Sequence, residues 1–180
     1  MSDTEAPEPW LRGTLAEVLP LQRAILHALE LSEEDLNRCC GHLADEELHA
    51  GFAGMTPVAF QLRHIARSLD RLLTYAEGRE LSSEQTAALQ TESQPEGTRS
   101  ELFSELSLAM RSASLRIRAF AADQMDEPRA VGKRRLPSTV AGLLVHVAEH
   151  TQRHVGEAIT TSKLLLARRP RSPVDGPDPQ

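Results

Sequence analysis

The sequence predicts an all-α protein, a four-helix bundle with short extra helices in its connections. Four long segments carry apolar residues at intervals of three and four, the spacing of helices with one buried face. No segment alternates convincingly between apolar and polar residues as a half-buried strand would. Leucine, alanine, glutamate and arginine dominate and only 3% of the residues are aromatic, a composition that favours helices. Helices of this kind bury their apolar faces against one another, which predicts a bundle.

The first two long helices are predicted from apolar spacing and from residues that favour helix ends. The first covers roughly residues 11–29, with Pro9 near its start, and Ser32 is expected to cap a short continuation. The second begins at Thr56-Pro57, since Thr is a good N-cap and Pro fits the first turn. It ends at Gly78, a residue suited to the end of a helix.

The second half of the chain supplies the other two long helices. A polar stretch between residues 82 and 97 predicts one short exposed helix, and the third long helix runs from Thr98 to about Asp123. The link at 126–137 contains proline, glycine and a cationic cluster, which predicts a loop with a brief extended piece. The fourth helix starts at residues 137–139 and reaches about Arg168, because no proline interrupts it before Pro170.

The length and net charge of the chain limit the classes of protein to which it can belong. The 180 residues fit one domain, predicted at 9–168 between a flexible N-terminus (1–8) and a disordered, proline-rich tail (169–180). A net charge of −6 disfavours binding to nucleic acid. No apolar run is long enough for a membrane span and no leader is evident, so we expect a cytoplasmic protein. Cys39 and Cys40 are adjacent and lack the spacing of a redox or metal pair.

Three histidines at intervals of four, His146, His150 and His154, lie on the predicted fourth helix. Residues four apart are displaced by about 40° around a helix and about 6 Å along it, so they share one face. That face also carries Leu143 and Val147, so His150 and His154 should point inward. A buried neutral imidazole needs a partner, and it is a good ligand for zinc, nickel, iron or copper.

His64 on the second helix is the best candidate for a third ligand. It lies eight residues after Thr56, as His146 lies eight after Ser138, so both helices carry histidine at a similar depth. Antiparallel or diagonal packing would bring His64 against the pair on the fourth helix. The sequence therefore predicts a divalent metal site formed by His64, His150 and His154, with at least one position open to water or substrate.

Other polar residues are weaker candidates for a role in the metal site. His146 would be an additional ligand or a hydrogen-bond partner of a ligand. Three further histidines are expected to be surface or packing residues: His27, His42 and His49. Three charged residues are candidate supporting groups, although each fits a surface ion pair equally well: Glu149, Asp70 and Arg67.

Two segments resemble a known family: LRHIARSLDRLLTYAEG on the second helix and LPSTVAGLLVHVAEHTQRHVGEAI on the fourth. Together they are similar to the DinB-like (YfiT-like) superfamily, and the likeness covers most of residues 10–167. An early histidine on the second helix, followed far downstream by His-x-x-x-His and a glycine, is the family's usual metal triad. It matches His64, His150, His154 and Gly156. Glu157 stands where relatives often have glutamine, and a carboxylate there would orient a ligand or face solvent.

The resemblance implies a four-helix bundle, commonly a homodimer, with nickel, zinc or a similar divalent ion in a three-histidine site. Characterised relatives transfer low-molecular-weight thiols to electrophiles or isomerise substrates with a thiol, and others are described only as metal-dependent hydrolases. We therefore expect a metal-dependent thiol S-transferase or hydrolase that acts on a small molecule. The alternatives are a non-catalytic dimeric bundle with a structural metal, and a site that has lost its metal, in which the histidines hydrogen-bond within the core.

Overall fold

Four long helices form the framework of residues 6–169, the part of the chain that the computed structural model describes. They are α1 (Pro20–Cys40), α3 (Val58–Ala76), α5 (Arg99–Arg118) and α6 (Val140–Ala167). Their connections contain α2 (Asp45–His49), α4 (Ser83–Gln90) and a hairpin of β1 (Pro128–Val131) and β2 (Leu136–Thr139). The predicted all-α four-helix bundle with short extra helices is confirmed. Residues 1–5 of the predicted flexible N-terminus and 170–180 of the predicted disordered tail lie outside the described residues.

The first helix begins later than the apolar spacing predicts, at Pro20 rather than near Leu11. The preceding segment contains a short 3₁₀ turn, and the backbone then turns left-handed at Gly13 (φ 67°) and Leu15 (φ 60°), which no α-helix accommodates. Leu11 is 57% exposed, so it does not belong to the buried face. Ser32 caps no second helix, because α1 runs through it.

The link before α6 is a β-hairpin rather than a loop with a brief extended piece. Pro137 lies opposite Ala130 in the antiparallel pairing, so α6 begins at Val140 instead of at Pro137. Thr139 ends the strand and caps the helix, since its Oγ1 accepts a hydrogen bond from the Gly142 amide at 3.1 Å. The hairpin therefore fixes the position at which the histidine-bearing helix starts.

The order of the long helices around the bundle is α1, α6, α3, α5. Helix α6 packs against both α1 and α3, α3 also packs against α5, and α5 closes the ring against α1 less extensively. Gln61 bonds Glu157 and His64 meets His150, so residue numbers rise along α3 as they fall along α6. The two helices that carry the predicted ligands are therefore antiparallel neighbours.

None of the helices that the structure describes has the length and apolar character needed to cross a bilayer.

Candidate metal centre

The three predicted ligands meet where α3 packs against α6. His64 Nε2 lies 3.0 Å from His150 Nε2, and the His154 ring lies 4.4 Å from that of His64 and 4.5 Å from that of His150, between centroids. One ring nitrogen of each residue lies within 4.8 Å of the other two. Two nitrogens bound to one zinc ion at about 2.0–2.1 Å are at most about 4.2 Å apart, a condition that His64 and His150 satisfy. The donor set fits a divalent ion.

The histidine cluster is partly buried. The His64 side chain is 18% exposed, and none of the three histidines is either fully buried or fully exposed. Phe60 stacks on the His64 ring, with centroids 5.4 Å apart and planes inclined by 12°. The cluster is therefore shielded on one side by an aromatic ring, while all three histidines remain partly accessible to solvent.

Two of the imidazoles are held neutral at physiological pH. Burial lowers the pKa of His150 to about 4, and the neighbouring rings of His154 and His64 contribute to the shift. Burial also lowers the pKa of His154, with His64 as the next largest cause. An imidazole must be unprotonated to bind a metal, so these side chains are ready to coordinate without first losing a proton.

His64 is held on its other side by a buried carboxylate. Its Nδ1 lies 2.7 Å from Glu92 Oε2, and Arg71 donates a hydrogen bond to the second oxygen, Oε1. Glu92 lies between α4 and α5, in a polar stretch where the sequence offered no sign of a functional residue. With Nδ1 engaged, Nε2 is the His64 nitrogen that remains for a metal.

His154 is held by an amide in a similar way. Its Nδ1 lies 2.7 Å from Gln61 Oε1, while the amide nitrogen of Gln61 donates to Glu157 Oε2 at 2.7 Å and to the Thr56 hydroxyl. Because a carboxylate only accepts hydrogen bonds, Glu157 fixes the amide orientation and presents the amide oxygen to His154. Glu157, which was predicted to orient a ligand or face solvent, therefore acts through Gln61 on His154, one of the predicted ligands.

Three arginines spaced by four along α3 anchor the segment that carries Glu92. Arg63 donates to the backbone oxygens of Glu92 and Gln94, at 3.2 and 2.6 Å, and to that of Glu96. Arg67 bonds Ala88 O and Thr91 Oγ1, and Arg71 bonds the Glu92 side chain itself. The segment 88–97 is thus tied to the helix that bears His64.

His146 lies beside the cluster but outside it. Its ring is 5.4 Å from that of His150, and its Nδ1 is 3.4 Å from Glu149 Oε2 on the exposed face of α6. Within residues 6–169, the group of ligand atoms close enough to share an ion consists of His64, His150 and His154. Three histidines bound to one ion would leave at least one coordination position for water or substrate.

The remaining candidates lie elsewhere. Asp70 and Arg67 form ion pairs with α5, to Arg116 at 2.7 Å and to Glu105 at 2.9 Å, and Arg67 in addition holds the segment that carries Glu92. Three other histidines are, as predicted, surface or packing residues. His27 bonds Thr14, His49 bonds a backbone oxygen, and His42 is exposed.

Comparison with known proteins identifies the family. The family model described as the DinB superfamily matches residues 28–158. The chain belongs to the DinB superfamily. The matched region contains α3 and most of α6, with all three clustered histidines and the segment that carries Glu92. No curated protein matched the chain.

Solved structures share the fold at low sequence identity. A conserved protein from Enterococcus faecalis is 15% identical, with a TM-score of 0.69 over 83% of this chain and 99% of that one. YfiT from Bacillus subtilis is also 15% identical, with a TM-score of 0.62 over 80% of this chain and 87% of its own. YfiT is described as a probable metal-dependent hydrolase with an unusual four-helix bundle topology. At this identity the likeness establishes the fold alone.

The depressed pKa of His150 predicts how metal-free protein responds to acid. Between pH 6.5 and about 4, the unfolded chain binds a proton at this site and the folded chain does not, so stability falls as the pH falls. Each unit of pKa difference corresponds to about 1.4 kcal/mol, so the loss in the free energy of unfolding is at most ~3 kcal/mol. Contact of the ring with solvent makes the loss smaller. Urea denaturation of chelator-treated protein at several pH values would measure the loss. His150→Gln, which cannot titrate, should show a shallower pH dependence, and an unchanged slope would contradict the assignment.

Proposed function

We propose that this protein is a metal-dependent enzyme in which His64, His150 and His154 bind one divalent ion, zinc or nickel, and that it hydrolyses a small-molecule substrate. The observation that carries the proposal is the open set of three histidines. A structural zinc site is usually closed by four protein ligands, whereas a catalytic site uses three and leaves a position for water or substrate.

The surroundings of the histidines support the same proposal. Glu92 and Gln61 engage the Nδ1 atoms of His64 and His154, so the opposite nitrogens are presented to a common point. Such partners fix the orientation of ligands in metal sites. Glu92 lies behind His64, at Nδ1, and is not among the residues whose ligand atoms are close enough to share an ion. The site therefore combines oriented nitrogen donors with partial access to solvent.

A divalent ion held by three imidazoles is a Lewis acid that polarises a substrate and lowers the pKa of a water or thiol that it binds. The chain contributes binding and orientation: the histidines donate their nitrogens, their hydrogen-bond partners fix the rings, and Phe60 covers one face of His64. Hydrolysis is our first choice because a protein of the same fold, YfiT, is described as a probable metal-dependent hydrolase. The second candidate reaction is transfer of a low-molecular-weight thiol to an electrophile, which would use the same three histidines. The experiment below tests both reactions.

Elemental analysis and an activity screen test this function together. We expect purified protein to contain about one zinc or nickel ion per chain, as a single three-histidine site implies. The metallated protein is then given a panel of small esters, amides and other electrophiles, with and without low-molecular-weight thiols. Mass spectrometry of the products distinguishes addition of water from addition of the thiol.

The outcomes separate the competing functions. Hydrolysis that stops when a chelator removes the ion would support the proposal, and thiol adducts would redirect it to a transferase. Fully metallated protein that converts nothing in either arm would favour the non-catalytic bundle with a structural ion. Protein that neither contains nor takes up a divalent ion would favour a core in which the histidines bond only to one another.

A further inference from the structure

A buried carboxylate stands directly behind one of the three clustered histidines. Glu92 is 4% exposed, its Oε2 lies 2.7 Å from His64 Nδ1, and its Oε1 accepts a hydrogen bond from Arg71. Burying a charge is costly unless it is paired and hydrogen-bonded, and here both oxygens have partners. The arginines at positions 63 and 67 hold the surrounding backbone in place. The contact with His64 is therefore part of a constrained arrangement.

The chemistry of this contact fixes the tautomer of His64. Arg71 donates a hydrogen bond to Glu92 Oε1, and this ion pair favours the carboxylate over the neutral acid. An ionised carboxylate only accepts hydrogen bonds, so His64 Nδ1 must carry the proton and donate it. In the neutral ring, Nε2 then bears the free lone pair, and Nε2 is the atom that faces His150 at 3.0 Å.

We propose that Glu92 is a positioning residue for the metal site, which holds His64 in the Nδ1–H tautomer and makes Nε2 a stronger donor. Glu92 carries a negative charge, whereas the Gln61 amide that holds His154 is neutral. The two predicted ligands are therefore held by partners of different charge. Removal of such a partner weakens metal binding without removing a ligand. This inference rests on the metal site of the proposed function and not on turnover.

Binding of Zn²⁺ alone, measured by competition with a chelator, tests the role in the full-length protein. We expect Glu92→Ala to bind Zn²⁺ about 10–100-fold more weakly than the wild type. Glu92→Gln keeps the shape and an acceptor oxygen but loses the charge, so its loss should be smaller. Glu105→Gln is the matched control: it removes the carboxylate partner of another α3 arginine, Arg67, without touching a histidine, and should bind Zn²⁺ like the wild type.

Nitrogen NMR of histidine-labelled protein provides a readout that a purely structural role would not move. In wild-type protein with Zn²⁺ bound, His64 should have a protonated Nδ1 and a coordinated Nε2, and without Zn²⁺ the Glu92→Ala variant should show a mixture of tautomers. Coordination through Nδ1 would overturn the inference even if Glu92→Ala failed to fold. Wild-type affinity in both Glu92 variants would overturn this inference alone, whereas wild-type protein that binds neither Zn²⁺ nor Ni²⁺ would overturn the proposed function as well.

Discussion

Replacing His64 with alanine should remove the bound ion and abolish turnover. The variant loses one of three donors, and the two that remain lie on the same helix, at His150 and His154. A site left with two protein ligands falls below the three that catalytic zinc sites use, so we expect Zn²⁺ affinity to fall by more than about 100-fold, beyond the usual effect of losing a hydrogen-bond partner of a ligand. Metal content after dialysis and turnover of the screened substrate would both be measured.

The control for this experiment is His146→Ala. This variant removes an imidazole from the same helix, 5.4 Å from the His150 ring, but outside the group of atoms that can share an ion. It should retain the metal and most of the activity. Both variants should keep the fold, since neither side chain is fully buried and Glu92 still pairs with Arg71 when His64 is removed. A His64→Ala protein that remained fully metallated would contradict the assignment of the ligands.

The sequence predicted the convergence of the histidines because helical spacing is a local property. His150 and His154 share a face of one helix wherever that helix packs, and the apolar residues beside them indicate the buried side. His64 can reach this pair only if α3 and α6 are neighbours. In the structure the two helices pack against each other in antiparallel orientation. The predicted homodimer, the choice between zinc and nickel and the thiol cofactor stay predictions.

The residues that support the ligands could not be predicted in the same way. Glu92 lies in a polar stretch with no periodic signal, and its role depends on a loop folding back over α3. Gln61 is three residues before His64 and looks like an ordinary helix residue until Glu157 is placed beside it. The late start of α1 was missed for another reason: left-handed backbone at Leu15 breaks a segment whose apolar spacing alone suits a helix. Each depends on tertiary structure or on backbone conformation that spacing does not encode.

A second large effect is expected at Arg63, in the stability of the fold. Its side chain is 5% exposed, and its guanidinium donates to the backbone oxygens of Glu92, Gln94 and Glu96. Replacing it with methionine keeps most of the apolar length but leaves these oxygens without their charged donor. Hydrogen bonds to charged groups contribute about 1.5–3 kcal/mol each, and the loop can recover part of this by taking up water. We therefore expect Arg63→Met to lower the free energy of unfolding by about 2–4 kcal/mol.

Denaturant unfolding measures that loss, and hydrogen exchange shows where the structure loosens. Exchange should accelerate mainly in the segment 88–97, which Arg63 ties to α3, and Zn²⁺ affinity should fall because Glu92 loses its fixed place behind His64. The matched control is Arg79→Met, an arginine whose side chain is 63% exposed and whose ion pair is with Glu77; exposed pairs of this kind contribute about 0–1 kcal/mol. Equal stability losses in the two variants would show that segment 88–97 holds its position without Arg63. The position of Glu92, and through it the orientation of His64, would then depend on Arg67 and Arg71 alone.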